Sequence, residues 1–206
     1  MAAWQRTNAF LCVGLDPLPE RLPEAFAGQE MTQAVPTFCR DIVAATAAQA
    51  CAFKPQIAHF AALGLEAELA DLIGWIDAEY PQVPVILDAK RGDIGSTAEL
   101  YAREAFERYD ADAVTVSPFL GQEGLQPFLN YSDRGTIVLC RTSNADSAWL
   151  QTYPANASGV AGKPAEPVYL RIAKAAAAWE QKSRTPGNLM LAVSYTHLTL
   201  PTIYSV

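Results

Sequence analysis

Histidine is nearly absent from this chain, with only His59 and His197, and neither an H-E-x-x-H nor a C-x-x-C spacing occurs. Zinc sites are built from such clusters, so a dedicated zinc centre is not expected. The four cysteines, Cys12, Cys39, Cys51 and Cys140, are scattered, and three lie in apolar strand-like or helical runs. They are read as buried free thiols of a cytoplasmic protein. Charge is also scarce, at 18% of residues, and acidic groups outnumber basic ones 22 to 15, for a net charge of -7. That balance argues against nucleic acid or an anionic membrane surface as a general partner. A small anionic substrate, which responds to local charges, is still allowed. No apolar stretch is long enough to span a bilayer, and an N-terminal run broken by Gly14 and Asp16 makes a poor signal peptide. Finally, no G-x-G-x-x-G or comparable phosphate cradle appears.

What the chain does have is hydrophobic residues, half of its 206. That suits one domain with a substantial core and many buried parallel strands. The most informative stretch is 83–99, VPVILDAKRGDIGSTAE. It opens as a β-branched apolar run, 83–87, readable as a short buried strand. Asp88 and Lys90 follow two apart, so on a strand they point to the same side, and Arg91-Gly92 end the strand before Asp93. Ser96 and Glu99 have the spacing of a capping box, predicting that a helix starts there. Such a charged turn can simply balance its own charges at a solvated surface. Charges seated directly on a buried strand are costly unless paired, however. In α/β sheets and barrels, ligands bind at the C-terminal ends of strands, so the functional reading is preferred.

The spacing Asp88-x-Lys90-x-x-Asp93-Ile94-x-x-Thr97 resembles the signature of the orotidine 5'-phosphate decarboxylase family, and LDAKRGDIGSTA is similar to the wording of one bacterial subgroup. D-x-K-x-x-D alone is shared with related sugar-phosphate decarboxylases and aldolases; Ile94 and Thr97 narrow it.

Taken in order, 10–15 (FLCVGL) is a strand-like run ending at Asp16-Pro17. Asp16 reads as a turn starter or, by resemblance to the family's first strand, as a ribose contact. A helix is expected over 37–50 and a second strand over 51–59. Lys54 is unusual in such a run and must snorkel outward or meet a carboxylate. KPQIAHF resembles the family's second strand, whose lysine lies near the catalytic aspartate. A helix over 65–80 follows. Strands are expected at 113–117 and 136–140, with a short helix over 125–130 between them. After CRTSN, Ser143 and Asn144 either open a polar loop to Pro164 or supply, as in the family, a serine that bonds the pyrimidine edge. That loop contains the sequon Asn156-Ala157-Ser158, without meaning in a cytoplasmic protein. A helix over 167–182 and a sixth strand over 188–193 complete the pattern. Alternating strands and helices predict a parallel sheet with right-handed crossovers.

The resemblance therefore implies an α/β fold of the (β/α)8 TIM-barrel family, with about six βα units in this chain. A full barrel takes about 250 residues, and roughly 200 at least. Residues 1–193 are expected to form an incomplete barrel domain. The tail, 194–206, matches nothing in the family, resembles translated sequencing-adapter sequence and is expected to be non-native.

The activity implied is decarboxylation of orotidine 5'-phosphate to uridine 5'-phosphate in de novo pyrimidine biosynthesis. Lys90 would be the proton donor, held charged between Asp88 and Asp93. Lys54 and Asp16 would grip the ribose side, and Asp93, Ile94 and Thr97 would reach into the neighbouring subunit's site of a homodimer. No metal or organic cofactor is implied. Two alternatives stand beside this reading: a magnesium-dependent sugar-phosphate decarboxylase or aldolase of the same superfamily, and an inactive barrel fragment with only a binding role.

Overall fold

A computed structural model describes residue 5 and residues 8–154, 166–182 and 187–193. The sequon and residues 194–206 lie outside the described residues. Among the described residues six parallel strands follow one another in chain order. They are β1 (Leu11–Leu15), β2 (Ala50–Pro55), β3 (Ile86–Arg91), β4 (Ala113–Val116), β5 (Gly135–Arg141) and β6 (Leu189–Val193). β1 pairs with β2, and β3 to β6 form a continuous run. Parallel bridges Phe53 to Val85 and Gln56 to Asp88 join the two groups, and the Phe53 N–H donates to the Pro84 carbonyl at 3.0 Å. Neighbours in sequence are thus neighbours in space, as in the wall of a (β/α) barrel.

The helices cover one side. α1 (Met31–Thr46) runs from β1 to β2, and α2 (Ile57–Ala61) and α3 (Glu66–Glu79) run from β2 to β3. α4 (Gly95–Arg103) links β3 to β4 and ends in a π-helical turn, Glu104–Arg108. α5 (Gln122–Leu129) links β4 to β5; α6 (Ala148–Gln151) and α7 (Val168–Lys182) lie between β5 and β6. The apolar stripes bury Val35 and Val43 from α1, Leu69, Leu72 and Ile76 from α3 and Phe128 from α5 against Phe53, Leu87, Val114 and Val138 of the strands. Such burial is the dominant favourable contribution to the fold.

Several boundaries differ from expectation. α1 begins at Met31, six residues before Thr37, with Pro36 inside it. Proline removes one helical hydrogen bond, but Ala34, Val35 and Pro36 lie on the buried face, which stabilises the early turns. β2 stops at Pro55, and the last three residues of the expected strand, 57–59, lie instead in α2. The capping box does not form: Ile94 is the N-cap of α4, without a side-chain cap, and Ser96 already lies inside the helix. Gly95, at φ +54°, turns the chain into the helix earlier than that motif implies. The loop after β5 is not open coil, because Ala145–Ser147 and α6 interrupt it. All four cysteines are free; Cys39 and Cys140 are buried, Cys51 is half-buried, and Cys12 is exposed on β1, unlike the expected buried thiol.

Candidate active site

The chemistry-bearing side chains collect at the C-terminal ends of β2 and β3. Asp88 is 6% exposed. Lys54, from β2, donates to its Oδ2 at 2.8 Å, and Lys90 donates to its Oδ1 at 2.7 Å. The Thr115 hydroxyl, from β4, donates to the same Oδ1 at 2.7 Å. Burial pushes the Asp88 carboxyl pKa up, but the hydrogen bonds from Lys54, Lys90 and Thr115 outweigh it and hold the group below the usual aspartate value. Burial likewise lowers the Lys54 pKa, and the hydrogen bond and charge of Asp88, with the charge of Asp16, more than reverse it. One buried carboxylate therefore stays ionised between two ammonium groups.

Lys90 does not reach Asp88 by simple strand alternation. Leu87 pairs with Val114, but the next partners are Arg91 and Val116, so β3 advances four residues while β4 advances two. The chain bulges at Asp88, Ala89 and Lys90, and Lys90 sits at φ +49°, a left-handed conformation uncommon for a lysine. Arg91 then turns away from the cluster. Its guanidinium makes a two-pronged pair with Glu104 at 3.0 Å for each hydrogen bond and lies 4.6 Å from the Tyr101 ring centroid. That clamp fixes the far side of the bulge to α4 and leaves the lysines as the cations facing Asp88.

The other candidates stand apart. Asp93 does not flank Lys90 in this chain; its Oδ1 accepts from the Ile94 N–H at 2.8 Å. Ile94 is 53% exposed and Thr97 is exposed on the first turn of α4. Asp16 is exposed just beyond β1, near enough to add its charge to Lys54, and His59 Nδ1–H donates to the Pro17 carbonyl at 3.0 Å, tying α2 to that turn. Ser143 is exposed beyond β5 and joins none of the hydrogen bonds around Asp88. Among the described residues no group of three or more His, Cys, Asp or Glu could hold a metal ion, and no helix is long and apolar enough to cross a membrane. Burial pushes the Cys39 thiol up to about 12, so it is no nucleophile.

Thr115 and Glu104 were not foreseen from the sequence. A hydroxyl inside AVTVS marked a polar residue in a buried strand, but no spacing tied it to Asp88, 27 residues earlier.

Residues 9–181 match the model of the family described as orotidine 5'-phosphate decarboxylase / HUMPS family. The chain is 62% identical over 150 residues to a Ralstonia pickettii protein named orotidine 5'-phosphate decarboxylase, covering 73% of this chain and 55% of that protein. It is 53% identical over 196 residues to a protein of the same name from Ralstonia nicotianae, covering 95% of this chain and 67% of that one. The chain thus spans about half to two thirds of the length of these relatives. Its fold is similar to that of Leishmania donovani OMP decarboxylase, with TM-score 0.75 and 34% identity over 96% of this chain and 72% of that one.

Proposed function

The chain belongs to the orotidine 5'-phosphate decarboxylase / HUMPS family, and from that premise we propose that it carries the reacting strand end of an enzyme that decarboxylates orotidine 5'-phosphate to uridine 5'-phosphate. The observation that supports this most is the single buried carboxylate of Asp88 held by Lys54 and Lys90 at 2.8 and 2.7 Å. In the proposed step the bond from C6 to the carboxylate breaks, carbon dioxide leaves, and the electron pair stays on C6. Lys90 then gives C6 a proton and becomes a neutral amine, which solvent reprotonates. A C6 carbanion has little delocalisation, so a fixed cation that is also an acid meets both of its needs. Asp88 anchors that cation and lies against the departing carboxylate. Lys54 occupies Oδ2 and so leaves Oδ1 for Lys90. Asp16 and Lys54 take the ribose side, and Ser143 the pyrimidine edge. The setting is de novo pyrimidine biosynthesis in the cytoplasm. In the whole enzyme, the six described strands and their helices form part of a barrel.

Purified enzyme at the relatives' full length, assayed by loss of orotidine absorbance, is expected to turn over the substrate equally well in excess EDTA. Activity abolished by EDTA and restored by magnesium would support the metal-dependent alternative instead, and no turnover in either condition would refute the proposed reaction.

The exposed Ile94 and Thr97, beside a half-buried Asp93 that makes no bond to Lys90 of its own chain, support a homodimer in which these residues complete the partner's site. Mixing inactive Lys90→Ala with inactive Asp93→Ala is expected to restore up to about one quarter of wild-type activity. This estimate assumes random exchange: half the dimers are then hybrids, each with one of its two sites intact. Dead mixtures whose hybrid dimers are visible by mass spectrometry would contradict shared sites.

A further inference from the structure

We propose that Thr115 is a positioning residue of this site: its hydroxyl fixes both the Asp88 carboxylate and the left-handed backbone at Lys90, and so aims the Lys90 ammonium. Its part in turnover rests on the decarboxylation reading above, whereas its grip on Asp88 does not.

The bulge in β3 takes Ala89 and Lys90 out of the regular ladder with β4. Their backbone N–H groups need another acceptor, since an unpaired buried donor is costly. Thr115 Oγ1 accepts both, at 3.0 Å each. With its acceptor capacity used, the hydroxyl directs its proton to Asp88 Oδ1 at 2.7 Å. Thr115 is 6% exposed, on the strand facing the bulge. One side-chain oxygen therefore replaces the ladder acceptor for two successive amides and also orients the carboxylate that Lys90 grips. A left-handed lysine persists only where its surroundings over-determine it. Thr115 on one side and the Arg91–Glu104 clamp on the other provide that constraint.

The charged and titratable groups facing Asp88 are Lys54 from β2, Lys90 from its own strand and Cys12 from β1, with Asp16 acting on Lys54. None of them bonds the Ala89 and Lys90 amides, so the effect of removing the hydroxyl is separable from theirs.

The test uses full-length enzyme with carbon-13-labelled aspartate, the Asp88 signal being assigned by its absence in Asp88→Asn. Thr115→Val keeps the side-chain shape and removes the hydroxyl; Thr115→Ser keeps the hydroxyl and removes the methyl. Valine is expected to lower kcat by about 100-fold, with KM changed much less, the scale of loss for a misplaced reacting group. It is also expected to move the Asp88 titration upward, whereas serine stays near wild type on both readouts. Valine with wild-type kcat, an unshifted Asp88 titration, or serine as impaired as valine would each overturn the proposal. In unmodified enzyme the Ala89 and Lys90 amide protons are expected to exchange slowly, and fast exchange would overturn it even if the valine variant fails to fold. If unmodified enzyme does not turn over orotidine 5'-phosphate, the proposed reaction falls while the titration and exchange still read Thr115's grip.

Discussion

In full-length enzyme that carries out the proposed decarboxylation, replacing Lys90 with alanine is expected to lower kcat/KM for orotidine 5'-phosphate by at least about 10⁴-fold, because two contributions vanish together. Positioned proton transfer is worth about 10² to 10⁴-fold, and a fixed cation at a developing negative charge about 10² to 10³-fold more. Folding should hardly change. The Lys90 side chain is 47% exposed, and a pair so open to solvent adds at most about 1 kcal/mol. Asp88 would also keep its bonds from Lys54 and Thr115. The variant should therefore melt like wild type while its turnover collapses, and steady-state assays beside thermal melts check both halves.

Asp88→Asn should be nearly as damaging to turnover, by about 10³-fold, and unlike Lys90→Ala it should also cost stability. An asparagine oxygen can accept from only some of the three donors that converge on Asp88, and its NH₂ is a fourth donor among them. Lys54 and Lys90 are then left as neighbouring cations without their shared anion. The pH dependence has a definite sign. The folded Asp88 value lies below its ordinary one, because the bonds from Lys54, Lys90 and Thr115 outweigh burial. Its carboxylate therefore adds stability above the unfolded value of about 3.9, and that stability is lost as pH falls through the lower folded value. Denaturant unfolding should show wild type ahead of Asp88→Asn at pH 7, with the gap closing below about pH 4. A gap that does not change across that range would mean that ionised Asp88 contributes nothing to the fold.

Much of this was readable from residues. The order of six strands followed from apolar runs such as VPVIL and TIVLC, since alternating strands and helices allow few arrangements. Boundaries depart from the sequence punctuation where packing overrides it. Pro36 concealed the first turns of α1, whose buried face overrides one missing hydrogen bond, and α2 was too short to show a helical period. The Ser96 to Glu99 spacing suggested a cap, but the turn at Gly95 starts the helix first. At the site, Lys54 was legible as a cation in a strand that must snorkel outward or meet a carboxylate, the family resemblance pointing to the latter, and Asp88 and Lys90 as charges at a strand end. Their meeting was expected from two-residue alternation, yet it depends on a bulge and a positive φ, which arise from packing against β4. Thr115 was invisible for the same reason: its role exists only once the bulge leaves two amides without partners.

Proton exchange between Lys90 and C6 can be tested without decarboxylation. Protonation of C6 in the forward direction requires its reversal in the product-bound enzyme, by microscopic reversibility. Uridine 5'-phosphate held with full-length enzyme in D₂O should therefore slowly gain deuterium at C6, read by proton NMR, and Lys90→Ala should abolish that gain. Equal incorporation with and without Lys90 would contradict that exchange and assign the proton to another group.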